Sequence, residues 1–216
     1  SDVCSSDLVI HVGANKGGER DEYAALGLAV VWVEPIPEVY DLLLENIRGY
    51  ERQRAFNALL TDVKGREYHF HISSNDGASS SILDLALHRD LWPEVHYVRS
   101  TMMTSTTLAG LLADEGIDPR GYQALVLDTQ GSELLVLRGA EPIIGNFAYV
   151  KAEAADFEAY AGCCNVQDLT AFMVAHGFRE TGRTRFAGRR GVGNYFDVVF
   201  RNERRAPSSR TARPSR

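Results

Sequence analysis

Gly13, Asn15 and Gly18, within VGANKGG, occupy the positions of the three glycines in a dinucleotide fingerprint, giving the partial match G-x-N-x-x-G. Glu34 follows about 20 residues later, after AVVWV, where a carboxylate can accept hydrogen bonds from two ribose hydroxyls. Together they point to a nucleoside-containing ligand, with Gly13, Ala14, Asn15, Gly17 and Glu34 as candidate contacts. The helix that the turn enters opens with Glu19, Asp21 and Glu22. A pyrophosphate needs the positive end of a helix, so acids there disfavour it. S-adenosylmethionine has no phosphate and is cationic at its sulfonium and ammonium, and an acidic rim suits it better. The same acids also complement a helix dipole without any ligand.

Elements that position these groups follow from hydrophobic periodicity. LVIHVG (8–13) and AVVWVEP (29–35) read as buried strands, with helical composition over 18–27 between them. PEVYDLLLENI (37–47) puts Val39, Leu42, Leu43 and Ile47 on one helical face behind Pro37, and RAFNALLTD (54–62) supplies a third strand. This alternation of strand and helix predicts a parallel sheet wound with helices. REYHFHIS (66–73) and EVHYVRSTMMTS (94–105) read as extended, with a polar loop at GASSSILDL (77–85). A helix at 107–116, a strand at 124–130 and a helix at 132–145 with Ser132 as its N-cap come next. A strand at 147–154 precedes a helix at 165–177 capped by Asn165 and Asp168, and 178–186 with 195–202 form a closing antiparallel pair.

The 216 residues, 44% hydrophobic, suffice for one globular domain. No run approaches the roughly 18–20 apolar residues of a membrane span, and a cytoplasmic, membrane-free protein is expected. Ser1–Leu8 back-translates to the end of a common short-read sequencing adapter, and is expected to be translated adapter on a metagenomic fragment. Residues 203–216 carry five Arg, one Glu and no aliphatic side chain larger than Ala, which predicts a disordered basic tail. Setting aside Asp2, Asp7 and that tail, the formal charge of −6 becomes −8 on residues 9–202, a poor nucleic-acid surface. Cys163 and Cys164 are adjacent and offer neither a disulfide framework nor zinc spacing, and His69 and His71 lack a third ligand.

The strings VGANKGGE, VEPIPEVYDLLLENI, NALLTD, SSSIL, TSTTLAGLL and LVLDTQGSELLVLRGA resemble the FkbM-type methyltransferases from about Val9 to Asn202. The resemblance implies an S-adenosylmethionine-dependent enzyme that methylates hydroxyls on sugars, glycans or natural products. It also implies a class I α/β fold: a seven-stranded, mostly parallel sheet of order 3-2-1-4-5-7-6 with an antiparallel C-terminal strand and helices on both faces. Family members commonly carry Asp at the position of His11, where packing is the expected role. In this fold Asp128 ends the fourth strand and is the first candidate for base or acceptor-orienting group, with Glu153 on the fifth strand second. Asn57 and Ala58 fall where such folds contact adenine, and Ser80 and Ser81 match a serine run expected at the acceptor site. The positions of Asp128 and Glu153 also correspond to places where metal-dependent O-methyltransferases bind Mg²⁺, but two carboxylates are few protein ligands, so Mg²⁺ is an alternative that is not favoured. The competing readings are an NAD-linked oxidoreductase, a non-catalytic cofactor-binding paralogue, and an RNA-binding methyltransferase supported only by the basic tail.

Overall fold

The computed structural model describes residues 8–205. β1 (Leu8–Val12), β2 (Ala29–Glu34) and β3 (Gln53–Asn57) alternate with α1 (Arg20–Ala25) and α2 (Pro37–Ile47). β4 (Leu59–Leu60), β5 (Glu67–Ser73), α3 (His88–Leu91) and β6 (Tyr97–Thr106) follow, then α4 (Leu108–Asp114) and β7 (Tyr122–Leu127). The chain continues through α5 (Glu133–Gly139), β8 (Tyr149–Ala155), α6 (Val166–Ala175), β9 (Phe178–Arg189) and β10 (Gly193–Asn202).

Seven strands form the main sheet in the order β3-β2-β1-β7-β8-β10-β9. β10 runs antiparallel to both β8 and β9, and the other pairings are parallel. Numbered within that sheet alone, the order is the expected 3-2-1-4-5-7-6. The pleat sends alternate side chains to opposite faces. Val9, Val30 and Trp32 meet Leu43 and Ile47 of α2 on one face. Ile10, Val31, Leu125 and Leu127 meet residues of α4, α5 and α6, among them Leu108, Leu137 and Leu169, on the other.

Between β3 and β7 the chain inserts a second, three-stranded sheet of order β4-β6-β5. The run 54–62 is therefore not one strand. At Ala58 the main-chain N–H turns to Glu34 O at 3.3 Å, and Leu59 and Leu60 leave to pair with Ser105 and Thr106. The helix expected at 132–145 ends at Gly139, and a single 3-10 turn, Ile144–Asn146, follows. At the chain's end Glu203 takes a hydrogen bond from Arg179 at 2.9 Å and Arg205 donates to Tyr122 O at 3.2 Å. The basic segment is thus held to the body through Arg205. The remainder of that segment, and Ser1–Asp7 of the suspected adapter, lie outside the described residues.

Candidate functional site

The glycine turn is shaped by contacts between strand ends. Gly13 has φ +79°, and a Cβ there would sit 1.7 Å from Asp128 O, so the ends of β1 and β7 approach this closely only around glycine. Gly13 N and Ala14 N both donate to Val33 O, at 3.0 and 3.1 Å. Glu34 is 4% exposed, and its carboxylate accepts from Asn15 N at 2.8 Å and Ile36 N at 2.9 Å. It therefore ties the turn to the end of β2. Each of its oxygens keeps a further lone pair for a ligand hydroxyl. Burial raises its pKa to about 7 against the pull of those two N–H groups, and Asp128 adds to the rise. Gly17 serves packing, since a Cβ there would meet Leu43 Cδ1 at 2.7 Å.

Asp128 follows β7, and Oδ1 accepts from Gln130 Nε2 at 2.5 Å. Burial raises its pKa to about 6, with repulsion from Glu19 and Asp197 adding and Gln130 and Lys151 opposing. Ser132 occupies the N-cap position of α5 without a capping hydrogen bond, contrary to expectation; its hydroxyl donates to Thr129 O at 2.9 Å. Glu133, 2% exposed, instead pins the turn that leads into the helix. Its carboxylate accepts from Thr129 N at 2.8 Å and Gly131 N at 3.1 Å, and burial lifts its pKa to about 7. Glu153 is pushed up to about 9, first by burial and then by Asp128, Glu133 and Asp197.

A cleft lies at the carboxyl ends of β1, β2 and β7, where ligands bind in open α/β sheets. Gly13, Asn15, Glu34, Ala58, Ser80 and Asp128 line it. Ala14, Gly17, Asn57 and Ser81 do not. Asn57 donates to Glu34 O and Pro35 O and faces a neighbouring depression, and Ser81 donates to Gln130 O at 2.8 Å. Glu153 lines a separate narrow crevice with Tyr160 and Tyr195, and Gln130 borders both. The two candidate carboxylates thus occupy adjoining cavities. Sequence reasoning missed Phe70, Gly77 and Ala78 of the inserted segment and Thr129 and Gln130 of the β7 turn, all of which line the cleft. Gln130 stood within the DTQGSE string, whereas no local signal marks Phe70, which reaches the cleft through the second sheet.

Among the described residues the lining includes two carboxylates and no Lys, Arg or His. That donor set fits a nucleoside carrying positive charge and leaves a pyrophosphate without a counter-charge. His11 stacks on Trp32 at 4.9 Å and meets Tyr23 Oη at 3.1 Å, and burial drives its pKa down to about 3, so it packs as expected. Among the described residues no group of three or more His, Cys, Asp or Glu is arranged to hold a metal ion.

Solved structures with this architecture include M. capricolum TrmK bound to S-adenosylhomocysteine, at 7% identity and TM-score 0.52, covering 92% of this chain and 63% of that one. Streptococcus pneumoniae Sp1610 bound to S-adenosylmethionine is 12% identical with TM-score 0.50, covering 95% and 72% of the respective chains. Precorrin-6y C5,15-methyltransferase from Geobacter metallireducens is 8% identical with TM-score 0.51, covering 91% and 80%. The chain thus spans less than two thirds of the length of TrmK. Comparison with curated protein sequences gives no significant match. The fold is that of the class I S-adenosylmethionine-dependent methyltransferases, and S-adenosylmethionine is the cofactor of that class. Residues 11–180 match the methyltransferase FkbM domain, and the chain belongs to that family.

Proposed function

We propose that the protein is an O-methyltransferase that transfers the methyl group of S-adenosylmethionine to a hydroxyl of a sugar, glycan or natural product. The observation that carries this reading is the cleft itself, walled by Glu34 and Asp128 and, among the described residues, free of basic side chains. S-adenosylmethionine, when bound, supplies a methyl group already activated on a sulfonium. The chain must therefore hold the cofactor, orient the acceptor and take up the hydroxyl proton. Glu34 accepts the ribose hydroxyls, and Gly13, Ala14, Asn15, Gly17, Asn57 and Ala58 shape the cofactor's surroundings by lining the cleft or bracing its walls.

Asp128 receives the proton. Its pKa near 6 leaves it ionised at neutral pH yet basic enough to share a proton in the transition state. Glu153, raised to about 9, is protonated at neutral pH and stands behind Gln130, outside the cleft, so it serves the reaction only through the groups that border both cavities. Ser80 borders the acceptor and Ser81 braces its wall. No metal is required. Calorimetric titration of the chain with S-adenosylmethionine, S-adenosylhomocysteine and NAD, followed by an acceptor screen with and without Mg²⁺, tests the reading. Binding of the first two alone, with methylation of a hydroxylated acceptor in the presence of chelator, is expected. Methylation confined to RNA or to a nitrogen or carbon acceptor would overturn the O-methyl assignment. With a working acceptor, Asp128→Asn should lower kcat by about 10²–10⁴-fold.

A further inference from the structure

Tyr160 lies in the loop between β8 and α6, 1% exposed, and its hydroxyl donates to Gln130 Oε1 at 2.6 Å. Gln130 Nε2 then donates to Asp128 Oδ1 at 2.5 Å. This polarity is forced by the partners, because the reversed amide would set Oε1 against a carboxylate oxygen. Burial raises the Tyr160 pKa far above its ordinary value, so the phenol acts only as a hydroxyl. The Gln130 backbone is left-handed, φ +53°, which L side chains adopt rarely, and its carbonyl accepts from Ser81 Oγ at 2.8 Å. Every polar group of the Gln130 side chain is thereby engaged, and both ends of its amide are fixed.

Two of the three partners of Gln130, Ser81 and Tyr160, come from segments laced to each other. Ala86 N and His88 N both donate to Ala159 O at 3.0 Å, and Ala161 N donates to Asp84 O at 2.8 Å. Residues 81–88 thus form a strap running over the Tyr160 loop, and Gln130 lies where strap, loop and the end of β7 meet. Asp128 Oδ2 accepts no hydrogen bond among the described residues and stays available on the cleft wall.

We infer that Gln130 is a positioning residue: through Tyr160 on one side and Asp128 on the other, it holds the Asp128 carboxylate in one orientation and makes its proton affinity depend on the strap and loop. The inference rests on the assignment of Asp128 as proton acceptor in the proposed reaction. An acceptor that presses on strap or loop then changes the base that acts on it.

The test is a carbon-13 NMR titration of the aspartate side-chain carboxyls in the full chain without ligand, with the Asp128 signal assigned by its loss in Asp128→Asn. Gln130→Asn retains a residue that tolerates left-handed backbone while its amide falls one methylene short. Tyr160→Phe removes only the hydroxyl. A donor to a carboxylate favours its ionised form, so the Asp128 midpoint should rise by about one pH unit in Gln130→Asn. It should rise in the same direction, by less, in Tyr160→Phe, with affinity for S-adenosylmethionine within about threefold of the parent. Unmoved midpoints in both variants, each unfolding as the parent does, would overturn the inference. If Gln130→Asn fails to fold, Tyr160→Phe alone decides. Shifted midpoints with no hydroxyl acceptor found would count against the proposed reaction and leave the coupling standing.

Discussion

At the scale of single residues, the raised carboxyl pKa values fix a pH dependence. Glu34 and Glu133 each rise from 4.5 to about 7 in the fold. Between those values the folded chain keeps protons that the unfolded chain has lost. Their contribution to stability without ligand should therefore fall as pH rises from about 4.5 to about 7, by on the order of 1–3 kcal/mol for each group, while Glu153, raised to about 9, extends the fall and His11, lowered from 6.5 to about 3, opposes it below 6.5. Urea unfolding of parent and Glu34→Gln at pH 5, 6, 7 and 8 isolates the Glu34 share: the stability of the parent relative to the variant should decline across that range. Glu34→Ala goes further, removing the acceptor of Asn15 N and Ile36 N, and should weaken S-adenosylmethionine binding at least tenfold by calorimetry. Glu34 was legible because its distance from the glycine turn is set by one strand, one helix and one strand. Glu133 was not: a glutamate in a first helical turn reads as a partner of the helix dipole, and only the folded loop reveals its hold on Thr129 N and Gly131 N.

At the scale of elements, α6 shows local chemistry read correctly from sequence. Asn165 Oδ1 accepts from Gln167 N and Asp168 N while the Asp168 carboxylate accepts from Asn165 N, a complete capping box. Asn165→Ala should cost about 1 kcal/mol in urea unfolding, with little effect on cofactor binding. The contact between α5 and the second sheet is of the opposite kind. A Cβ on Gly139 would fall 2.1 Å from Thr61 O, so Gly139→Ala must push the helix off the chain just after β4. A loss of about 1–3 kcal/mol is expected from the same measurement. Strand and helix order in the main sheet followed from periodicity, but the break at Ala58 did not. Leu59 and Leu60 are as apolar as a continuing strand. Their departure is decided by pairing with β6, more than forty residues away in the chain.

At the scale of the whole molecule, the acidic body argues against a polyanionic partner. Deleting residues 206–216, beyond the anchored Arg205, should leave S-adenosylmethionine binding within about twofold, and the shortened chain should not retard RNA at 0.15 M salt. Among the described residues no helix is long and apolar enough to cross a membrane. The inserted sheet bears on how the chain assembles. β1 pairs with β2 and with β7, yet β2 follows it closely whereas Tyr122 stands opposite Leu8 across more than a hundred residues. Closing that long loop has the larger entropic cost, so the half from β1 to β3 and the half from β7 to β10 can each form from nearer contacts before they join. The join is the β1–β7 seam, and the cleft has Gly13 on one bank and Asp128 on the other. A ligand lying across it acts as a clasp on that seam. Saturating cofactor should retard exchange of the β1 and β7 amides more than those of β9, and slow unfolding more than it speeds refolding.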